Sequence, residues 1–395
     1  MQPRVLYSSE NHAYGPTAKC PVPSNRAPLA FHQRLEGYAP TPLVSVPALA
    51  QELGVGQVLV KNESQRLGLP AFKILGASWA IYRSLETRAP TTFGPWSDFA
   101  ELVERLAPLR PLTLATATDG NHGRAVARMA RLFHFEARIF VPAGTAPARI
   151  EAIAGEGAQV EIVPGTYDDA VARAANEASA RCLVISDTSW PGYEDVPRWV
   201  MEGYSTIFRE IDEELTHTGD AGPDLVAVQV GVGALAAAVV SHYRQPTREP
   251  RPAIVSVEPL RAACLLAAME AGEIVSVPGP HDSIMAGLNC GRVSIVAWPY
   301  VSSGINAFIA VNDERARQAM RSLGRNGIVA GETGAAGLAG LFELLTGPEQ
   351  AEHRKRLRVN EETRLLVLVT EGATDQESYA RIMAAADGQS GQRAR

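Results

Sequence analysis

The chain has 395 residues, of which 46% are hydrophobic and 20% charged, and its formal net charge is -6. This composition is that of a globular chain long enough for two domains, and no strong basic patch points to nucleic acid. Apolar runs such as Leu365 to Val369 have the length of strands and are too short to span a bilayer. The N-terminal segment lacks the apolar core of a signal peptide, so we expect a cytoplasmic protein without a membrane or nucleic-acid partner.

The chain contains four cysteines, Cys20, Cys182, Cys264 and Cys290. They lie far apart without CxxC spacing, which predicts neither a zinc site nor a disulfide framework. We expect buried thiols and no bound metal, and a bridge between Cys264 and Cys290 stays open as an alternative.

Apolar strand-like runs alternate with longer Ala-rich helical stretches, which predicts an α/β fold with a mainly parallel sheet. The segment 87–111, rich in proline, is predicted to be a linker or excursion before a new βα unit. The candidate strands, in chain order, are 58–60, 112–115, 137–141, 159–163, 183–185, 225–229, 253–257 and 365–369.

The stretch from Pro70 to Ala77 places one lysine, Lys73, in apolar surroundings at the start of a helical pattern. Burial without a partner lowers the pKa of a lysine and favours the neutral amine that forms Schiff bases. A surface lysine whose stem lies along apolar groups is the alternative from this stretch alone.

The strand at 112–115 leads into a segment with two glycines and Asn121, followed by an Ala-rich helix predicted to begin near Ala125. Exposed backbone amides and a side-chain amide suit a ligand that carries oxygen atoms. Capping of the helix would also account for Asp119 and Asn121.

A glycine turn follows the strand at 225–229, and its backbone amides and helix dipole suit a phosphate. The segment Gly231 to Ala236 also matches the G-x-G-x-x-A dinucleotide fingerprint, and Glu258 lies where a ribose-binding acid is expected. A nicotinamide-dependent dehydrogenase is therefore an alternative from another functional class. The last strand leads into Thr370 to Asp375, for which a capped turn is the simplest interpretation.

Taken together, these motifs resemble those of the fold-type II pyridoxal-phosphate enzymes, which include serine and threonine dehydratases, tryptophan synthase β and cysteine synthase. The resemblance covers nearly the whole chain in the family's motif order. It implies pyridoxal 5'-phosphate as cofactor, a homodimer, and two domains that each contain a mainly parallel twisted sheet flanked by helices. Residues 1–86 and 205–395 would form the large domain and residues 87–204 the small one.

The resemblance also implies roles for individual residues. Lys73 corresponds to the Schiff-base lysine, Asn121 to the contact of the cofactor's 3-oxygen, and Thr370 to the residue that faces the pyridine nitrogen. The phosphate loop would consist of Gly231, Val232, Gly233, Ala234 and Leu235. Many members have four consecutive glycines in this loop, and here Val232 and Ala234 interrupt the run.

Within the family, the motifs around Lys73, Asn121, Asp187, Asn289 and Thr370 resemble those of the diaminopropionate ammonia-lyases. Common dehydratases have a serine where this chain has Asp119. A carboxylate at that position repels a substrate carboxylate unless it pairs with an amino group or moves a proton.

The implied reaction is the α,β-elimination of 2,3-diaminopropionate, L- and D-isomer, to pyruvate and two ammonia. Lys73 would be the base for the L-isomer and Asp119 the base on the opposite face. Asp187 would contact the β-ammonium or donate a proton to the leaving group, with a helix N-cap before Trp190 as the alternative. Thr188 and Ser189 complete the predicted substrate contacts. A serine or threonine dehydratase and a non-catalytic pyridoxal-phosphate carrier stay as further alternatives.

Overall fold

The computed structural model describes residues 2–8, 26–90, 93, 95–245, 248 and 251–390, with side chains up to residue 385. It confirms an α/β fold built on two mainly parallel sheets with flanking helices. Across these described ranges, every helix falls short of the length and apolar character that a bilayer crossing requires.

The strands of the described residues are β1 (Arg4–Tyr7), β2 (Leu43–Ser45), β3 (Gln57–Asn62), β4 (Thr113–Ala117), β5 (Glu136–Pro142), β6 (Gln159–Val163), β7 (Cys182–Val184), β8 (Leu225–Gln229), β9 (Ala253–Pro259), β10 (Ala307–Val311) and β11 (Arg364–Val369).

The α-helices are α1 (Ala27–His32), α2 (Pro47–Leu53), α3 (Lys73–Arg88), α4 (Phe99–Arg105), α5 (Asn121–Phe133), α6 (Pro147–Ala154), α7 (Tyr167–Ala175), α8 (Asp195–Gly203), α9 (Ser205–Thr218), α10 (Ala234–Tyr243), α11 (Cys264–Ala271), α12 (Trp298–Gly304), α13 (Asp313–Arg325), α14 (Ala336–Thr346), α15 (Gln350–Leu357) and α16 (Gln376–Ser390). Short 3₁₀ helices lie at Ala107–Leu109 and Ala286–Leu288.

The larger sheet has seven strands in the order β1-β10-β9-β8-β11-β3-β2. Its five inner strands run parallel, and β1 and β2 are antiparallel at the two edges. Every residue of β8 and β10 is buried, because helices cover both faces of the sheet. This double coverage explains why the inner strands consist of continuous apolar runs rather than alternating ones.

The smaller sheet has four parallel strands in the order β6-β5-β4-β7. All four lie within the predicted small domain, and the seven-stranded sheet draws its strands from both predicted pieces of the large domain. The boundaries themselves stay a prediction. Helix α3 continues to Arg88, two residues beyond the first boundary, and α9 begins at Ser205, directly after the second.

Each predicted strand is present, whereas β1, β2 and β10 were not predicted. The strands β1 and β2 are only four and three residues long and are partly exposed, so neither produces a long apolar run. The segment predicted to be a linker contains helix α4, which is capped by Asp98 through its contact with the Glu101 N–H. The linker interpretation is therefore wrong for residues 99–105.

The carboxyl ends of five parallel strands lead into the segments that carry the predicted site residues. Strands β8, β11 and β3 are neighbours in the large sheet, and β4 and β7 are neighbours in the small one. Ligand sites of α/β proteins form beyond such strand ends. The topology thus brings loops from both sheets to one place.

Candidate active site

Backbone pairing fixes the start of helix α3 against the end of strand β11. Ala71 forms an isolated antiparallel bridge with Glu371. The Phe72 N–H donates to the Thr370 carbonyl at 3.2 Å, and the Gly372 N–H donates to the Pro70 carbonyl at 2.9 Å. Lys73, the first residue of α3, is therefore held next to Thr370, and both line one cavity.

Lys73 forms an ion pair with Asp187. The Lys73 Nζ lies 2.6 Å from Asp187 Oδ2, and the Tyr167 hydroxyl donates to Asp187 Oδ1 at 3.0 Å. Burial lowers the pKa of Lys73, but the Asp187 charge and hydrogen bond outweigh burial and hold it above its usual range. The lowered pKa expected for a buried lysine without a partner does not arise here, because Asp187 supplies a partner.

Asp187 is itself buried, with 4% of its surface exposed. Burial raises the pKa of this carboxyl. The charge of Lys73 and the hydrogen bonds to Asp187 have the larger combined effect and lower it, so the net shift is downward and the ionised form is favoured. The N-cap interpretation is wrong, because the next helix, α8, begins at Asp195 after Glu194.

The chain has four lysines, Lys19, Lys61, Lys73 and Lys355. Lys61 is buried in an ion pair with Glu210 at 2.7 Å, and Lys355 lies on the surface helix α15. Lys19 lies outside the described residues. Among the described lysines, Lys73 is the one that lines the cavity.

Helix α5 begins at Asn121, four residues earlier than predicted. The Thr118 hydroxyl accepts from the N–H groups of Gly120 at 2.9 Å and Gly123 at 3.0 Å. Thr118 therefore caps helix α5, and the interpretation of Asp119 and Asn121 as capping residues is wrong. The Asn121 side-chain amide instead donates to Glu371 Oε2.

Asp119 lines the cavity from the turn before α5. Burial raises the pKa of its carboxyl from 3.8 to about 6, opposed by the charges of Arg149 and Lys73. This carboxyl is thus able to hold or release a proton near neutral pH.

The loop between β8 and α10 contributes a row of backbone donors, because the N–H groups from Gly231 to Leu235 have no partner among the described residues. All five residues line the cavity. The side chains of Val232 and Ala234 belong to the buried core, and the N–H groups of both residues still lack a backbone acceptor among the described residues. Gly233 has φ +98, and a Cβ at Gly233 would lie 3.2 Å from the Ala297 Cβ.

Gln229, at the end of β8, holds the hydroxyl of Thr370. Its Nε2 donates to Thr370 Oγ1 at 2.7 Å, to the Leu368 carbonyl at 3.0 Å and to the Thr333 carbonyl at 3.2 Å. Because two of these acceptors are backbone carbonyls, the orientation of the amide is defined. The Thr370 oxygen accepts from Gln229, which leaves the Thr370 proton for another acceptor.

These residues fit the expected cofactor. The cavity encloses about 690 Å³ of empty space, part of it open to solvent. A lysine amine, a row of free N–H groups at the start of a ten-residue helix, and a hydroxyl with a free proton meet the requirements of an aldehyde, a phosphate and a ring nitrogen.

Glu258 serves a structural role. Its Oε1 and Oε2 accept from the N–H groups of Leu265 at 2.7 Å and Leu266 at 2.8 Å, at the start of α11. The residue is fully buried, so it is not available to a ribose. The dehydrogenase interpretation, which depends on Glu258, is wrong for this reason.

Thr188 and Ser189 lie outside the lining of this cavity. The Ser189 hydroxyl lies 2.7 Å from the Ser294 hydroxyl and accepts from the Val296 N–H at 3.1 Å. The Thr188 N–H donates to the Ser186 hydroxyl at 3.2 Å. Their contacts with substrate stay predictions.

Sequence reasoning assigned no role to Tyr167, Gln229 or Glu371, all of which line the cavity. Tyr167 lies within the capping box formed by Thr166 and Asp169, whose spacing marks the start of a helix. Gln229 is a polar residue at the end of an apolar strand, which is a signal that the sequence does offer.

Cys182, Cys264 and Cys290 are buried free thiols, so the alternative bridge between Cys264 and Cys290 is not formed in this structure. Cys20 lies outside the described residues.

Comparison with known proteins agrees with this geometry. The model of the pyridoxal-phosphate-dependent enzyme family matches residues 34–371. A diaminopropionate ammonia-lyase of Salmonella typhimurium is 37% identical over 366 residues, which cover 90% of this chain and 90% of that protein.

Two solved structures of the Escherichia coli diaminopropionate ammonia-lyase are also similar. The holo form has a TM-score of 0.88 and 33% identity, with 97% of this chain and 96% of that chain covered. The complex with D-serine has a TM-score of 0.87 and 34% identity, with 96% and 97% covered. On its fold, its cavity and these matches, the chain belongs to the family of fold-type II pyridoxal-phosphate-dependent enzymes.

Proposed function

We propose that this enzyme removes the β-amino group of 2,3-diaminopropionate, as L- and D-isomer, by α,β-elimination and releases the α-amino group by hydrolysis with one water, to give pyruvate and two ammonia. The observation that carries the proposal is the presence of three titratable groups, Lys73, Asp119 and Asp187, in one cavity. The similarity to the diaminopropionate ammonia-lyases of Salmonella typhimurium and Escherichia coli supports it.

Four elements would hold the cofactor. Lys73 would bind its aldehyde carbon, Asn121 its 3-oxygen, the N–H groups of Gly231 to Leu235 its phosphate, and Thr370 its ring nitrogen. Glu371 fixes the Asn121 amide, and Gln229 fixes the Thr370 hydroxyl. When bound, pyridoxal phosphate withdraws electrons from the substrate α-carbon, so that the α-proton becomes acidic.

Two groups would accept that proton, one for each isomer. The Lys73 amine, once released from the cofactor, would remove the α-proton of the L-isomer. The Asp119 carboxylate would remove it from the D-isomer. A pKa of about 6 suits Asp119 to this task, because a base is most effective when its pKa lies near the working pH.

Asp187 would bind the β-ammonium of the substrate. Its lowered pKa keeps it ionised, and it already holds the ammonium of Lys73 at 2.6 Å. An ionised carboxylate has no proton to donate, so the geometry favours ammonium binding over proton donation to the leaving group.

A serine or threonine dehydratase is the second candidate within the family, and Asp119 counts against it. The β-hydroxyl group of serine or threonine is neutral, so it gains nothing from a second carboxylate beside the carboxylate of the substrate. A non-catalytic carrier is disfavoured too, because such a protein has no need of acids at Asp119 and Asp187.

Turnover of D- and L-2,3-diaminopropionate, serine and threonine by the holoenzyme tests the proposal. Two ammonia per pyruvate are expected from both diaminopropionate isomers, at a kcat/KM far above that for serine and threonine. A preference for serine or threonine would establish the dehydratase instead. The absence of turnover on all four with cofactor bound would support the carrier.

We also infer that the protein is a cytoplasmic homodimer, as enzymes of this family usually are. Sedimentation of the holoenzyme at twice the chain mass is the expected result, and a monomer would refute the assembly.

A further inference from the structure

We propose that Arg149 binds the α-carboxylate of the substrate and is a specificity residue for amino acids over simple amines. The inference rests on the proposed function, since it concerns the substrate of the same site.

Arg149 lines an outer chamber that adjoins the catalytic cavity. This chamber encloses about 1180 Å³, part of it open to solvent. Asp119 and Tyr167 line both spaces, so the two share a wall at the proposed base for the D-isomer. Arg149 lines the outer chamber but not the cavity that contains Lys73, so it would contact a ligand at the wall that the two spaces share.

The guanidinium of Arg149 is buried but forms few hydrogen bonds with the described residues. The residue is 7% exposed, and its Nη1 donates to the Asp119 carbonyl at 3.3 Å. Within the described part of the chain, it forms no ion pair with a carboxylate at 4.0 Å or closer. A guanidinium has five N–H donors, and burying such a charge is costly unless it is paired.

The acidic side chains near Arg149 accept hydrogen bonds from groups other than its guanidinium. Glu332 accepts from the Ser378 hydroxyl at 2.7 Å, and Asp375 accepts from the Ser378 N–H at 2.9 Å. Glu371 accepts from Asn121 and from the Thr333 N–H at 3.1 Å. The charges of these acids and of Asp119 raise the pKa of Arg149, but among the described residues none of the four carboxylates accepts a hydrogen bond from its guanidinium.

The position of Arg149 in its helix is also unfavourable for a cation. It lies in the first turn of α6, which begins at Pro147. The helix dipole places partial positive charge at that end, so an anion is favoured there and an arginine is not. An anionic ligand next to Arg149 would benefit from both the guanidinium and the dipole.

Gly120 makes room for this side chain. A Cβ at Gly120 would lie 3.2 Å from the Arg149 Cδ, so any other residue would push against the arginine. The guanidinium consequently lies over the turn that carries Asp119. A planar fork in this place is suited to two parallel hydrogen bonds with a carboxylate.

The charges around the chamber match a diamino acid. Such a substrate has one carboxylate and two amino groups. The chamber offers Arg149 as cation and the acids Asp119, Asp282, Glu332 and Asp375 in its lining. An acid-rich wall with one arginine attracts amines and still provides a place for a single carboxylate.

The test removes the arginine and the carboxylate separately. Binding of D-2,3-diaminopropionate and of ethylenediamine, which lacks the carboxylate, is followed by the shift of the cofactor's visible absorption band. Arg149→Gln is expected to weaken diaminopropionate binding by about 10–100-fold, which is typical of a hydrogen-bonded charge pair. Ethylenediamine affinity should change less than about threefold. Arg149→Lys should fall between wild type and Arg149→Gln, because it keeps the charge but loses the fork.

Arg131→Gln serves as the matched control, since Arg131 is half exposed and its buried partner Glu156 keeps Arg124 and Arg128. It should leave both affinities unchanged. An equal loss for both ligands in Arg149→Gln, or no loss for either, would overturn the Arg149 proposal. If wild type binds and converts diaminopropionate, either of those results leaves the proposed function intact. If wild type does not convert it, the proposed function fails first.

Discussion

The amine of Lys73 lies 2.6 Å from Asp187 Oδ2, and the two residues come from segments that follow strands of different sheets. Lys73 follows β3 of the seven-stranded sheet, and Asp187 follows β7 of the four-stranded one. Tyr167 holds the second oxygen of Asp187. The ion pair thus connects the two sheets at the cavity and favours the protonated form of Lys73.

Replacing Asp187 should change how fast the apoenzyme captures its cofactor. In Asp187→Asn the Lys73 amine loses its charge partner, so its pKa falls and its neutral, nucleophilic fraction rises. A drop of one pKa unit raises that fraction about tenfold, so we expect capture of pyridoxal phosphate at pH 7 to accelerate by at least about tenfold. Stopped-flow absorbance of the cofactor measures the rate. The control Asp195→Asn, on the exposed start of α8, should not alter it, and an unchanged rate in Asp187→Asn would show that Asp187 does not control the lysine.

Asp119 should determine the use of the D-isomer. Asp119→Asn is expected to lower kcat/KM for D-2,3-diaminopropionate by about 10²–10⁴-fold, the usual contribution of a positioned base, and for the L-isomer by less than about tenfold. Steady-state kinetics on both isomers provide the measurement. Equal losses would mean that Asp119 organises the site for both isomers rather than removing a proton on one face.

The pH dependence of the wild-type enzyme tests independently whether Asp119 is the base for the D-isomer. The carboxylate form of Asp119 is the base, and the pKa of this group is raised from 3.8 to about 6. D-isomer turnover should therefore be lost as pH falls through about 6, and an aspartate with its usual pKa would keep it down to about pH 4. The assay is kcat/KM for the D-isomer between pH 5 and 8, with the L-isomer measured alongside. An acid limb that is absent above pH 5 would contradict the role of Asp119.

Gly233 should be required for the phosphate loop. Gly233→Ala adds a Cβ at φ +98, 3.2 Å from the Ala297 Cβ, so the loop has to move and its N–H groups with it. We expect the Kd for pyridoxal phosphate to rise by at least about tenfold, measured by titration of the apoprotein. Gly219→Ala is the matched control, because Gly219 also has positive φ, +74, but a Cβ there meets nothing within 4 Å. Both variants should lose about 1–3 kcal/mol of stability from backbone strain, and equal cofactor affinity in the two would refute the loop assignment.

Gln229 and Thr370 should act as one unit. Gln229→Met leaves the buried Leu368 carbonyl without its donor and frees the Thr370 hydroxyl, which we expect to cost about 1–3 kcal/mol of unfolding free energy. In a double-mutant cycle with Thr370→Val, the two changes should couple by about 0.5–3 kcal/mol in cofactor binding. Titration of the four apoproteins gives the coupling. Additive effects would mean that Gln229 supports the sheet but does not orient Thr370.

Local pattern was enough to predict much of the fold. Continuous apolar runs identified the inner strands such as β8 and β11, because both faces of these strands are buried. The edge strands β1 and β2 escaped prediction because a strand of three or four partly exposed residues leaves no such pattern. Helix α5 begins four residues before the predicted start, since its cap depends on Thr118 and not on Asp119.

The site was predictable in its positions but not in its contacts. Lys73 could be singled out from its apolar neighbours, but its partner Asp187 lies 114 residues further along the chain. Because Asp187 pairs with Lys73 across the two sheets, the pKa of the lysine shifts upward instead of downward. No local sequence pattern contains that information. Arg149 and Gln229 owe their importance to groups that only the folded chain brings near them.

The most direct test of the central claim is to find the residue that binds the cofactor. The holoenzyme is reduced with borohydride, which fixes pyridoxal phosphate to its lysine, and the digested peptides are mapped by mass spectrometry. With only four lysines in the chain, the result is unambiguous. We predict the added mass on the peptide that contains Lys73, together with loss of the visible band in Lys73→Ala. Label on Lys19, Lys61 or Lys355 instead, or a protein that takes up no pyridoxal phosphate, would contradict the account.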